Sequence, residues 1–260
     1  MIRFSIVTVA YNAEASIVHT LDSVCRQTYP YIEHIIIDGG SSDGTVQRCN
    51  EYARKCEEKD IDHQITIVSE PDKGIYDAMN KGIAHATGDY IVFLNSGDRL
   101  AKDDTLDTVA SSVGEGEELP GVLYGDTDII DSEGNILGRR RKKIPQRLTW
   151  RKFRYGMLVC HQAFYARTDI ARDTPYDLKY KYSSDVDWCI KIMKKSQQRG
   201  LSLRNVQAVT ALFLDGGATT QHHKESLKER FDIMRRHYGL LTTLAMHTWF
   251  TVRMALRQKK

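Results

Sequence analysis

The chain has 260 residues, with 37 Lys and Arg against 34 Asp and Glu, and 41% of its residues are hydrophobic. A chain of that length buries most of the surface its unfolded form would expose, so it needs no disulfide staple, and a net charge of +3 is too mild to indicate a nucleic-acid partner. The five cysteines (Cys25, Cys49, Cys56, Cys160, Cys189) form no CxxC, which excludes a disulfide framework and a zinc knuckle and points to a reducing, cytosolic setting.

The first residues, MIRFSIVTVAYNAE, lack a cationic region followed by a long apolar run and read as a first strand rather than a signal peptide. Phe4 to Ala10 is β-branched, Ala15 to Gln27 carries Ile17, Leu21 and Val24 on one helical face, and Ile32 to Ile37 is the second strand. The alternation then repeats. A helix with Val46, Cys49, Ala53 and Cys56 follows the start signal Ser41-Ser42-Asp43, Ile65 to Val68 is a strand, Tyr76 to Ala86 a helix and Tyr90 to Leu94 a strand. Strands that are apolar on both faces and separated by helices imply an α/β protein with a mostly parallel, Rossmann-like sheet. Such sheets bind ligands beyond the carboxyl ends of their strands. The loops expected on that rim are Tyr11-Asn12, Asp38 to Gly44, Glu70 to Gly74 and Asn95 to Asp98.

Past Asp98, Val122 to Ile130 and Ile136 to Arg141 form an expected hairpin, and the stretch through Cys160-His161-Gln162 reads as rich in loops. A helix is expected from near Val186, a strand over Asn205 to Leu214, and helix again from Lys224. No segment is apolar enough to cross a bilayer, because Leu240 to Leu256 is interrupted by His247 and Arg253. The loop Asp38 to Thr45 has neither the GxGxxG spacing of dinucleotide folds nor that of a P-loop, so base or ribose contact is expected there rather than a phosphate cradle. For Asp43 a helix-capping role is an equal alternative.

The ordered series TVAYNAE, LDSVCRQTYPYIEHIIIDGGSSDGT and SEPDKGIYDAMNKGIAHATGDYIVFLNSGD resembles the family-2 glycosyltransferases of the GT-A fold. The resemblance is to the bacterial branch that builds exopolysaccharide, capsule or lipopolysaccharide units, and it covers the first 100 residues densely. It implies donor contacts at Tyr11, Asn12 and Glu14, a base-binding acid at Asp38, and a nucleotide-diphosphate pocket lined by Asp72, Lys73, Asp77 and Lys81. Asn80 and Lys81 also read as plain solvated helix residues. Asn95-Ser96-Gly97-Asp98 stands where the family keeps its metal-binding DxD motif, so the resemblance implies Mn²⁺ or Mg²⁺ held by Asp98 beside Asn95 and Ser96; the segment Leu214 to His223 resembles the family's late glycine-containing loop, from which His222 or His223 would reach the metal or the diphosphate, exposed loop histidines being the equal alternative. The first acid of that motif is absent here.

Ser183-Ser184-Asp185-Val186-Asp187 resembles the family's general-base segment and makes Asp185 the base of an inverting transfer; the alternative is a helix cap. His161, Gln162 and Asp187 are placed by the same resemblance in the acceptor region. The implied activity is transfer of a hexose from a UDP- or GDP-sugar to a lipid-linked or growing cell-surface glycan. A sugar-nucleotide pyrophosphorylase and a non-catalytic partner of the same fold are the alternatives. The expected division is 1–100 for the donor half, 101–223 for the acceptor and catalytic half of the same domain, and 224–260 for an amphipathic helical segment. That segment, with Leu240, Leu241, Leu244, Trp249, Phe250 and Val252 beside four late cations, suits a peripheral contact with the inner face of the cell membrane. Packing on the catalytic domain or on a second copy of the chain is the equal alternative.

Overall fold

The computed structural model describes residues 1–59, 61–114, 116–140, 142–216 and 222–258, with side chains described as far as residue 252. The expected alternation is present: β1 (Phe4–Ala10), α1 (Glu14–Cys25), β2 (Ile32–Asp38), α2 (Thr45–Glu58), β3 (Gln64–Ser69), α3 (Ile75–His85) and β4 (Tyr90–Phe93). The strands β3, β2, β1 and β4 lie side by side and parallel. β1 and β2 are buried along their whole length, which is why their sequences read as unbroken apolar runs. Alternate β1 side chains serve opposite faces: Val7 and Val9 pack with Met79 and Ile83 of α3, while Phe4 and Ile6 pack with Val24 of α1.

The second half extends this sheet with antiparallel strands. β8 (Phe164–Arg167) pairs antiparallel with β4, β6 (Val122–Ile130) pairs antiparallel with β8, and β9 (Leu203–Leu214) runs parallel to β6. The expected hairpin forms between β6 and β7 (Ile136–Arg139). The two-residue strand β5 (Arg99–Leu100) pairs with β9, completing a nine-stranded mixed sheet among the described residues. Short elements account for much of the stretch that reads as loop. They are α4 (Thr105–Ser111), two 3₁₀ turns at Trp150–Tyr155 and His161–Ala163, and α5 (Thr168–Arg172). α6 (Ser184–Gln198) starts two residues before the expected Val186, and α7 (His223–Tyr238) and α8 (Leu240–Gln258) follow β9.

An aromatic stack joins the two halves. Trp188 of α6 is fully buried, stacks on Tyr176 at 4.9 Å and meets Phe93 of β4 and Phe164 of β8 edge-on. Burying an aromatic ring of that size removes about 200 Å² from water and stabilises the fold by roughly 5 kcal/mol. Tyr76 of α3 continues the stack onto Tyr176. Residue Asn80 of the same helix exchanges two hydrogen bonds with the Tyr176 backbone, so it is a packing residue rather than a solvated one.

α3 approaches β1 through Gly82, where a Cβ would stand 2.3 Å from a Val7 methyl carbon. A Gly82→Val variant is expected to lose about 1–3 kcal/mol of stability through overpacking, measured by urea unfolding, although the substitution improves helix propensity.

Candidate active site

A cleft of about 850 Å³ opens at the carboxyl ends of the parallel strands, where the sheet topology places it. Its walls come from each of the four expected loops, through Tyr11 and Asn12, Gly39 and Gly40, Pro71 and Asp72, and Asn95 and Ser96. The Tyr11 ring is 66% exposed on this wall, an apolar face available for stacking.

The loops are tied together from behind by residues that the resemblance places in donor contact. Asp38 is fully buried, and its carboxylate accepts from the backbone N–H groups of Gly40 (3.1 Å) and Ser41 (3.0 Å), from Ser69 Oγ (2.7 Å) and from Ser41 Oγ. It shapes the turn and does not line the cleft. Asn12, in the left-handed region at φ 46°, accepts from Ser42 N–H (2.9 Å) and donates its own N–H to Ser41 Oγ (2.8 Å). Glu14 accepts from Gly44 N–H at 3.2 Å and pairs with Arg48 at 3.2 Å. Asp43 stands one residue before the α2 cap position, Gly44, and by accepting from the N–H groups of Thr45 and Glu14 it ties the starts of α1 and α2 together.

In the segment from 72 to 81 the work is divided. Asp72 faces the cleft. One of its oxygens accepts from Gly74 N–H at 2.8 Å, and the other occupies the space a Gly39 side chain would need, 2.5 Å from the position of a Cβ. Lys73 is exposed, with its N–H held by Asp77 at 2.9 Å. Lys81 reaches the Pro71 carbonyl (2.9 Å) and Glu70 (3.0 Å), fastening the loop. Of the four residues expected to line this pocket, Asp72 does so and the other three support it.

Asp98 departs most from expectation. Its side chain turns inward at 3% exposure, and its two oxygens accept from Gln162 Nε2 (2.7 Å) and from the N–H of Leu214 (3.0 Å). Burial pushes its pKa up to about 6, against the opposing effect of those two hydrogen bonds. Gly97, at φ +97°, has no room for a side chain either, because a Cβ would lie 2.5 Å from Leu214. The cleft end of this loop therefore presents the neutral groups of Asn95 and Ser96. His222 lies apart at the start of α7, exposed and stacked on Tyr182 at 4.6 Å. Among the described residues no three His, Cys, Asp or Glu side chains come together as a metal site. The two expected ligands, Asp98 and His222, are thus not brought together at the cleft in this structure. Part of the 214–223 loop expected to approach the diphosphate, residues 217–221, lies outside the described residues.

The expected base, Asp185, is at the cleft side of the start of α6, in the second helical position rather than the capping one, which is Ser183. Its carboxylate is 15% exposed, lies 3.4 Å from His161 Nδ1 and accepts from the Tyr76 hydroxyl at 3.3 Å. His161 Nε2 meets the Asn95 side-chain amide at 3.1 Å. Asn95, on the cleft wall, is therefore one imidazole away from Asp185. Burial works to raise the Asp185 pKa, but the hydrogen bond and charge of His161, the Arg230 charge and the Val186 N–H outweigh it and hold the carboxyl below its ordinary range. Asp187 points elsewhere, since residues two apart on a helix do not share a face. It is buried, accepts from His237 Nε2 (2.7 Å) and pairs with Lys191 (2.5 Å), tying α6 to α7 rather than lining an acceptor site. Gln162, also assigned to the acceptor region from the sequence, is buried and committed to Asp98.

Two residues at this site went unread in the sequence. Tyr76 stands at the start of the helix expected over Tyr76 to Ala86, and Arg230 within the one expected from Lys224. The signal that could have found Arg230 is its spacing of four from Ser226 and three from Ile233, two of the three buried positions of its helix.

With this geometry in hand, known proteins give the class. The family model described as Glycosyl transferase family 2 matches residues 5–173, and the chain belongs to that family. A "PGL/p-HBAD biosynthesis glycosyltransferase" of Mycobacterium bovis is 34% identical over 228 residues, covering 86% of this chain and 82% of that one. "Amylovoran biosynthesis glycosyltransferase AmsB" of Erwinia amylovora is 28% identical over 99% of this chain and 85% of its own length. Among solved structures, S. aureus TarS in complex with UDP-GlcNAc superposes with a TM-score of 0.70 at 19% identity, over 90% of this chain and 64% of that one. The mannosyltransferase PcManGT from Pyrobaculum calidifontis, in complex with GDP-Man and Mn²⁺, gives 0.61 at 16% identity over 96% and 75%. The fold is GT-A and the protein is a glycosyltransferase, which sets aside the pyrophosphorylase alternative.

Asp98 yields a pH prediction. A carboxyl whose folded pKa is raised stays protonated in the native state while the unfolded chain ionises, so its contribution is full below about pH 4 and is lost as the pH rises to about 6. The pH dependence of unfolding free energy in an Asp98→Asn variant should lack this loss, on the order of 3 kcal/mol, when compared with wild type by denaturant titration at pH 4 and pH 7.

Proposed function

We propose that this glycosyltransferase moves a sugar from a nucleoside diphosphate donor, UDP- or GDP-linked, to a hydroxyl of a lipid-linked or growing cell-surface glycan, with inversion at the anomeric carbon. The observation that carries the reading is the partly exposed Asp185 carboxylate, placed one imidazole from the cleft wall and held ionised by its surroundings. In the reaction Asp185 takes the acceptor hydroxyl proton while that oxygen attacks the anomeric carbon from the face opposite the diphosphate. The bond to the diphosphate breaks as the new glycosidic bond forms, and the nucleoside diphosphate leaves. Tyr11 supplies a stacking face for the base, Asp72 an acceptor for its N–H groups, and Asp38 keeps the backbone of Gly39 and Gly40 in the turn that borders it. The donors printed for TarS and for the mannosyltransferase are a UDP-sugar and a GDP-sugar, which supports the donor class. The Mn²⁺ in the latter complex associates divalent cations with this fold, but no step here runs through one, given the inward Asp98.

Replacing Asp185 by Asn should lower the rate of transfer by about 10²–10⁴-fold while leaving donor affinity within a few-fold of wild type, read by product assay and calorimetry. Transfer at the wild-type rate would remove Asp185 from the role.

A membrane-borne acceptor is supported by the end of the chain. After Asp232 there is no acidic residue, and Arg235, Arg236, Arg253, Arg257, Lys259 and Lys260 are all basic, so the other 31 cations face 34 acids and the overall excess of positive charge resides in this segment. No described helix is long and apolar enough to cross a membrane, yet α8 turns Leu241, Leu244, Trp249 and Val252 outward. Those apolar side chains with adjacent cations suit the interface of an anionic leaflet. Co-sedimentation with phosphatidylglycerol-containing vesicles, and not with pure phosphatidylcholine, is the expected behaviour. A Leu241→Glu, Leu244→Glu double variant should lose it while remaining folded.

A further inference from the structure

Transfer from a nucleoside diphosphate leaves negative charge on the departing phosphate, and charge that develops in a transition state is best met by preorganised positive groups. The loop at the end of β4 offers only neutral groups to the cleft, so a positive side chain from another element can contribute to meeting that charge.

α7 crosses over the start of α6. Ser226 Oγ meets Ser183 Oγ at 2.9 Å, and Glu229 accepts from the N–H groups of Lys181 (2.8 Å) and Tyr182 (2.9 Å), so the face carrying residues 226, 229, 230 and 233 is pinned to the turn that presents Asp185. Arg230 sits on this face, half-buried, close enough for its charge to act on Asp185. Its Nε is sealed from solvent and has no hydrogen-bond acceptor among the described residues. Its helix neighbours differ: Arg235 pairs with Asp232, and Arg236 with Asp177 and Asp232. Arg99 Nε, Arg140 Nη1 and Arg154 Nε are buried without an acceptor too, but of the four it is Arg230 whose charge acts on Asp185, and a buried donor left unpaired there points to an acceptor that arrives with a ligand. The planar fork of arginine matches phosphate oxygens better than any other side chain.

We propose that Arg230 is the phosphate-binding side chain of this active site, donating to a substrate phosphate beside Asp185. The proposal rests on the transferase reading for its chemistry, though not for its test. The phosphate can come from the donor's diphosphate or from a lipid-phosphate acceptor, and binding measurements separate the two.

Calorimetry would compare UDP and GDP with uridine and guanosine on wild type, Arg230→Gln and Arg230→Lys. Donor-side binding predicts that Arg230→Gln weakens the diphosphates by about tenfold to a hundredfold, the worth of a charged hydrogen bond, with nucleoside affinity unchanged. Arg230→Lys, which keeps the charge but not the fork, should fall between. For the acceptor side, farnesyl diphosphate and farnesol would be titrated with UDP saturating, and a loss confined to farnesyl diphosphate assigns the contact there. Unchanged affinity for both kinds of phosphate overturns the proposal, as does an equal loss for nucleosides and diphosphates, which marks a structural role. Thermal melts of both variants check folding. Because these readouts need no turnover, a wild-type protein that transferred no sugar would sink the transferase reading and leave the Arg230 result standing.

Discussion

The site depends on one imidazole. His161 stands between Asn95, at the end of the parallel half of the sheet, and Asp185, at the start of the helix that carries Trp188 into the core. That bridge links the donor wall to the base directly, above the continuous sheet and the aromatic stack that join the two halves beneath it. The side chains of His161 and Asp185 are both about one-seventh exposed, so the contact is shielded enough to be strong and open enough to reach a substrate. Tyr76 adds a third tether, from a helix of the donor half directly to the base.

The rest of the rim shows how a set of polar loops becomes rigid through its own hydrogen bonds. Asp38, Asp43, Glu14 and Lys81 direct their charges to backbone groups, and Glu14 and Lys81 also to Arg48 and Glu70, behind the surface they shape. That leaves few groups facing the cleft, chiefly an aromatic ring, an acid and two small polar side chains. A site built this way is precise because the residues that touch the ligand are held by residues that do not.

The first hundred residues were legible because burial on both faces forces a plain pattern on parallel strands, and the turns between them carry their own chemistry in Gly, Asp, Asn and Ser. The second half was less so. β8 has four residues and β5 two, too short for any period to show, and both exist because longer neighbours supply their partners. Sequence positions Asp98 and Asp187 along the chain, but carries no information about which way a loop acid turns or which face a helix acid joins. Asp98 turns inward because Gln162 and the Leu214 N–H await it there, and both are distant in sequence. Arg230 was hidden for the converse reason: a charged helix residue looks solvated until a neighbouring element, here the turn before α6, covers it.

The Asp72 oxygen lying in the space of a Gly39 side chain links two loops that are 33 positions apart. A side chain at position 39 finds room only where the Asp72 carboxylate rotates away or residue 72 is smaller. In a lineage descended from this chain, an acid or amide could appear at position 39 only with or after a smaller or reoriented residue at 72, and the two should drift as a pair. The polar group that edges this part of the cleft can thus be handed from one loop to the other while the cleft keeps its shape, a route by which relatives could come to prefer different donors on an unchanged scaffold.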